Sequence, residues 1–296
     1  MHRYLQAAGF SEKTTDNEIY RFICDNVLSA NCRTHEMALE DGASLKEYRL
    51  PVNDCAGICA AVISLDSGEN ILQYYYPYLE SAEVSLENVC TIERHTSQET
   101  FEGIIEEYKP GLSLIFYVSN PVDYRMMPDA GRIFDFYGTN LSAFADSATV
   151  LLPVEKSSED LEASINLQKE QDTLIEAARN GDEEAIDTLT KSDMDMFEEL
   201  AQRIENEDLY SIVEQSLLPC GVECDQYTIV GEILSIRDNI NIFTGTELYI
   251  MKVQCNELEF RLCMRKQDLV GEPLKGRRIK CRIWMQGRVN FNRPRA

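Results

Sequence analysis

The run Glu93-Arg94-His95 sets a carboxylate, a guanidinium and an imidazole side by side at the end of a predicted strand. Such a set can bind an anion or move a proton. The aromatic run Tyr74-Tyr75-Tyr76-Pro77-Tyr78 would wall the pocket, because Tyr74, Tyr76 and Tyr78 share one face of an extended strand. No nucleophile or second metal ligand accompanies them. The preferred reading is therefore plainer: Arg94 pairs with neighbouring acids and the tyrosines fill a sheet face. An enzyme built on Glu93, Arg94, His95, Tyr76 and Tyr78 is the lesser alternative.

A second set lies near the C-terminus. In Arg277–Gly287, Ile279, Cys281, Ile283 and Met285 alternate with Arg278, Lys280, Arg282, Trp284 and Gln286. Period-two alternation makes the first group core and the second an outward face. Three cations beside the chain's only Trp could neutralise phosphates and stack a base. The same face could equally dock a protein partner, the chain's own acidic helices or its N-terminal domain, with Trp284 as buried anchor. Docking is preferred, because the rest of the chain would repel a polyanion.

Other chemistry is sparse. The phosphate-cradling, dinucleotide and nucleophile-elbow glycine motifs are absent. His35-Glu36 begins like a zinc-protease helix, but position 39 is Leu. Three histidines leave little room for imidazole chemistry. Acidic pairs such as Glu106-Glu107 and Glu198-Glu199 read as wet helix surface. Among ten cysteines, the pairs Cys55/Cys59 and Cys220/Cys224 have three residues between them, not the two of zinc ribbons. No metal and no cofactor is expected.

The elements that would carry these residues fall into three regions. Residues 1–156 read as an α+β domain with mixed helices and sheet. A helix capped at Thr15 or Asp16 is followed by strands at 34–39 and 45–50 around Asp41-Gly42, then at 57–65, 71–79, 89–94 and 112–119. A helix is expected at Thr100–Tyr108, a short one after Pro121, and a last strand at Ala148–Val154. Residues 157–218 read as an acidic helical segment packed on or linking the domains, with Asp182 capping a helix after Gly181 and Leu217 inward on the last one. Residues 226–296 read as a small OB-like β-barrel with strands at 227–236, 248–255, 258–264 and 277–287 and a short fifth at Arg288–Phe291.

Charge follows this division. The whole chain has 51 acidic and 28 basic residues, a net of −23. Residues 226–296 hold 13 basic and 7 acidic residues, net +6, which leaves 1–225 at −29. Val154–Asp208 alone carries 18 acidic against 5 basic residues. Nucleic-acid binding is therefore expected, if anywhere, only through 226–296. The first ten residues lack the apolar run of a signal peptide, and no stretch approaches the length of a membrane span, so a cytoplasmic chain with reduced thiols and no membrane contact is expected.

Several strings resemble one family: Thr91-Ile92-Glu93-Arg94-His95, Leu112-Ser113-Leu114-Ile115-Phe116-Tyr117, Ala177 to Ile186, Gly221 to Tyr227, and the ending Gly276-Arg277-Arg278 with Ile283-Trp284-Met285-Gln286-Gly287. Together they are similar to the bacterial proteins grouped as domain of unknown function 3881, over nearly the whole chain. The resemblance implies a bacterial cytoplasmic protein of undetermined function and carries over no catalytic residue or cofactor. The combined expectation is a cytoplasmic binding or regulatory protein in preference to an enzyme.

Overall fold

The computed structural model describes residues 3–11, 14–39, 42–94, 100–109, 112–126, 136–152, 215–221 and 224–291, with five single residues between 152 and 214. The chain forms two compact units, Met1–Leu151 with Gln215–Ala296, and Leu152–Glu214. In the second, Thr173, Ala177, Ala185 and Thr188 are helical, and Asp182 Oδ1 accepts from Ala185 N at 3.3 Å. The remainder of the expected acidic helices lies outside the described residues.

The first unit opens with a buried turn at Arg3–Leu5 and helix α1 (Asp16–Phe22). Thr15 accepts from Glu18 N while the Glu18 carboxylate returns to Thr15 N at 2.7 Å, so each satisfies a donor left over at the helix end. Four antiparallel strands follow in sequential order: β1 (Arg33–Ala38), β2 (Ser44–Pro51), β3 (Ala56–Ser64) and β4 (Asn70–Leu79). The Asp41-Gly42 signal falls between β1 and β2 in sequence; Gly42 there and Gly68 between β3 and β4 have φ of 85° and 84°, conformations that glycine adopts without strain.

The second sheet begins with β5 (Thr91–Arg94), β6 (Phe101–Lys109) and β7 (Leu112–Val118), then passes through the short helix α2 (Pro121–Arg125) to the long strand β8 (Phe136–Leu151). After the second unit come β9 (Ser216–Pro219), β10 (Gln226–Ile240), β11 (Glu247–Cys255), β12 (Leu258–Arg265), β13 (Leu269–Val270) and β14 (Arg278–Phe291). The pairings β8–β12–β11–β10–β14–β8 close a five-stranded barrel, parallel only at β12–β8. Ile229, Ile233, Met251, Val253, Leu262, Ile279 and Ile283 fill its interior. β7, β6 and β5 extend the sheet outward from β14.

The architecture is mostly β, which narrows the α+β expectation. Thr100–Tyr108 is strand and not helix: Phe101, Gly103 and Ile105 are buried and alternate with Glu102, Ile104 and Glu106. Gly103 and Gly287 leave room for the Phe116 ring; a Cβ on either would come within 2.4 Å of it. The strand expected at Ala148–Val154 begins at Phe136, with Leu141, Ala143 and Ala145 facing the barrel interior. Leu217 is buried on strand β9 and not on a helix. Arg288–Phe291 is no separate fifth strand but the end of β14, and β8 supplies the fifth staves of the barrel.

Candidate functional site

Alternation along β14 does what the sequence pattern requires: Ile279, Cys281, Ile283 and Met285 point into the barrel, and the intervening residues point outward. The outward residues do not form one open surface. Trp284 is only 4% exposed. Its ring stacks on Tyr4 at 5.3 Å and meets Tyr117 at 5.2 Å, and its Nε1 donates to Asp225 Oδ2 at 2.6 Å. Gln286 is fully buried; its Nε2 donates to Pro77 O at 2.7 Å and its Oε1 accepts from Leu79 N at 3.2 Å. Arg278 is buried and Lys280 half-buried. Arg282 remains exposed, donating to Gln226 Oε1 at 2.8 Å.

What covers Trp284 is the start of the chain. Tyr4, Leu5, Ala7, Ala8 and Phe10 are buried in one cluster with Trp284, Phe144, Leu248, Ile250 and Cys263 from the barrel's outer wall. Asn241 Nδ2 donates to Ala8 O at 2.9 Å and Thr244 Oγ1 to Gly9 O at 2.8 Å. Burial pushes the Tyr4 phenol up to about 12, helped by the nearby Asp146 carboxylate.

The other sequence candidates are separated. Glu93 and Arg94 are exposed on β5, opposite Glu102 and Phe101. His95 lies outside the described residues. Tyr76 and Tyr78 are buried on β4, in the other sheet. Tyr76 donates to Ser119 O at 3.1 Å, and the Arg49 guanidinium lies over the Tyr78 ring at 5.0 Å.

The polar cluster that does form joins His35, which the sequence reading set aside for want of a second ligand at position 39, to residues that reading did not single out. His35 Nε2 is 2.9 Å from Asp123 Oδ1, and its Nδ1 is 3.5 Å from Glu47 Oε1. Glu47 is 1% exposed; its Oε1 also meets Arg49 Nε at 2.9 Å and Thr34 Oγ1 at 3.1 Å. Arg49 bonds on to Ser119 O. Burial works against the Glu47 charge, but His35 and Arg49 outweigh it and hold the carboxyl at about 2. The arrangement ties β1 and β2 to α2 by charge. Cys59, the nearby thiol, is pushed far up by burial and is no nucleophile. Among the described residues no group of His, Cys, Asp and Glu is placed to hold a metal ion.

One open cleft of about 410 Å³ lies on the barrel wall, lined by Ser235 and Arg237 of β10, Ile250, Met251 and Lys252 of β11, and Glu259, Phe260 and Arg261 of β12. Asp54, Cys55, Ser81 and Glu83 complete it from the segments flanking β3 and β4. Register explains the grouping: Lys252 faces Ser235 on one side and Arg261 on the other, and Arg237 faces Ile250. Arg237 pairs with Asp54, and Lys252 with both Glu83 and Glu259. Burial raises the Cys55 thiol to about 11, against attack chemistry at neutral pH. The alternation that exposes Lys252, Glu259 and Arg261 was visible in the hairpin sequence; their companions at 54 and 81–83 were not.

A family model described as "Domain of unknown function, E. rectale Gene description (DUF3881)" matches residues 5–287. No curated protein and no solved structure gives a match. No helix among the described residues is long and apolar enough to cross a membrane.

Proposed function

The chain belongs to the DUF3881 family, and since that membership assigns no reaction, we propose from the geometry that it is a cytoplasmic binding protein and not an enzyme. In this reading Trp284 is an internal anchor for the N-terminal segment, and the cleft on β10–β12 is the surface left for a ligand. The observation that carries it is the contrast in cover: the aromatic part of the barrel wall is closed by residues 3–10, while the charged part is open. The strand order, with a single parallel pair at β12–β8, supports an OB-like barrel whose fifth strand comes from β8. OB-type barrels bind their ligands on the wall of the second and third strands, here β11 and β12. The Asp182 cap supports a helical reading of the acidic middle segment. The enzyme reading loses support because Glu93 and Arg94 stand on a different sheet from Tyr76 and Tyr78.

Trp284 is the only Trp, so its fluorescence tests the internal anchor directly. The expected result is blue-shifted emission, weak quenching by acrylamide, and no change when single-stranded DNA or RNA is added at low salt. Quenching close to that of free indole would overturn the anchor. An oligonucleotide-induced change that fades with salt would put nucleic-acid binding through residues 226–296 in its place.

A further inference from the structure

The cleft sets the cations Arg237, Lys252 and Arg261 against the carboxylates Asp54, Glu83 and Glu259, but its ion pairs share them unevenly. Arg237 and Asp54 form a neutral pair. Lys252 serves two carboxylates at once, Glu83 and Glu259, which leaves that end with one negative charge in excess. Among the described residues Arg261 makes no direct ion pair, although its charge is felt at Glu83; its NH1 donates to Glu80 O at 2.6 Å. It also stands directly across the strand pair from Lys252, a like-charge opposition that the neighbouring Glu83 and Glu259 carboxylates offset. A guanidinium has five N–H donors in a planar fork suited to a carboxylate, so Arg261 has capacity that its carbonyl contact does not use.

A polyanion fits this cleft poorly, because it would meet Glu83, Glu259 and Asp54. A simple cation would meet three basic groups. A molecule with a carboxylate beside an ammonium satisfies both ends. We infer that the cleft binds a small zwitterion of the amino-acid class, with its carboxylate on Arg261, its ammonium on the Oε1 atoms of Glu83 and Glu259, whose Oε2 atoms hold Lys252, and its side chain toward Ile250 and Cys55. The volume of about 410 Å³ is within the range of small-molecule sites and holds a free amino acid or a dipeptide. This deepens the proposal that the cleft is the ligand surface and rests on it.

The test is calorimetric titration of the full chain with leucine, methionine, phenylalanine and leucylleucine, beside N-acetyl-leucine, leucine amide and inorganic phosphate. Binding by a free amino acid or by the dipeptide is expected, with loss of about tenfold or more when either terminus is blocked. Arg261→Gln and the double variant Glu83→Gln/Glu259→Gln should each weaken binding by about tenfold, with Trp284 emission unchanged as proof that the fold is intact. If N-acetyl-leucine or phosphate binds as well as leucine, and only when Arg261 is present, the zwitterion is wrong and the cleft stands as an anion site. If no probe binds, or Arg261→Gln leaves binding untouched, both the zwitterion and the cleft as ligand surface fail.

Discussion

Two stretches of the same barrel wall have opposite fates. Around Trp284 the wall is aromatic and dry, covered by residues 3–10 and β4. Around Lys252 and Arg261 it is charged and open. The difference follows from what burial does for each. Covering an indole gains hydrophobic free energy and stacking, and its single N–H is met by Asp225. Covering this part would strip water from six charged side chains, among them an Arg261 guanidinium whose hydrogen bond goes to a backbone carbonyl. The lesson is that a basic-aromatic alternation on one strand does not make an open surface: the Trp284 part of β14 is claimed by the chain itself, and the open charged wall lies on β10–β12.

The largest expected effect breaks the closed side. Trp284→Ala removes the ring that Tyr4, Tyr117 and Phe144 pack against. A loss of about 3–5 kcal/mol is expected for an aromatic-to-Ala change at a buried site, read as a shift in the denaturant midpoint with little change in slope. A loss below about 1 kcal/mol would mean that the N-terminal segment does not depend on Trp284 for its seat. Arg261→Gln, on the open side, should leave stability nearly unchanged, so that the pair of variants separates scaffold from ligand surface.

Glu47→Gln comes next. It leaves the buried Arg49 guanidinium facing a neutral amide, and a loss of about 3 kcal/mol is expected for one member of a buried ion pair. The wild-type chain should show the same dependence by titration. Its Glu47 carboxyl, ordinarily near 4.5, is held at about 2 in the folded state. Its contribution is therefore whole above about pH 4.5 and drains as the pH falls toward 2. Urea midpoints that do not fall over that interval more steeply in wild type than in Glu47→Gln would show that the carboxylate is not held by His35 and Arg49.

Local pattern made much of this legible. The alternation Ile279, Cys281, Ile283, Met285 located the β14 core face, Asp41-Gly42 located the turn between β1 and β2, and the cap expected at Thr15 or Asp16 located the start of α1. What pattern cannot supply is pairing across long separations. β8 closes the barrel against β12 and β14 although the whole second unit intervenes in sequence. Thr100–Tyr108 read as a helix because its acidic residues resembled a wet helical face, whereas its neighbours β5 and β7 decide that it is strand. The cleft joins Asp54 and Glu83 to Lys252 and Arg261 for the same reason. His35 was judged by the absent ligand at position 39, yet its partners come from β2 and α2.

The smallest effect concerns that histidine, and its sign is opposite to that of Glu47. The carboxylates of Glu47 and Asp123 on its two nitrogens raise the His35 imidazole above 6.5 against the pull of burial and of Arg49. A group whose folded value lies above its unfolded one stabilises fully below about pH 6.5 and loses that contribution as the pH rises through the raised value. Because the side chain is 27% exposed, water screens part of the attraction, and His35→Gln should cost about 1 kcal/mol or less at mildly acidic pH. The decisive reading is the shape of the curve: wild type should weaken as the pH rises above about 6.5 and His35→Gln should not. Between the two limbs, from about pH 4.5 to 6.5, the clasp is charged on both sides and strongest. A variant curve parallel to wild type on the alkaline side would place the imidazole outside the clasp. The hold of β2 on the start of α2 would then rest on Glu47, Arg49 and the Ser119 carbonyl.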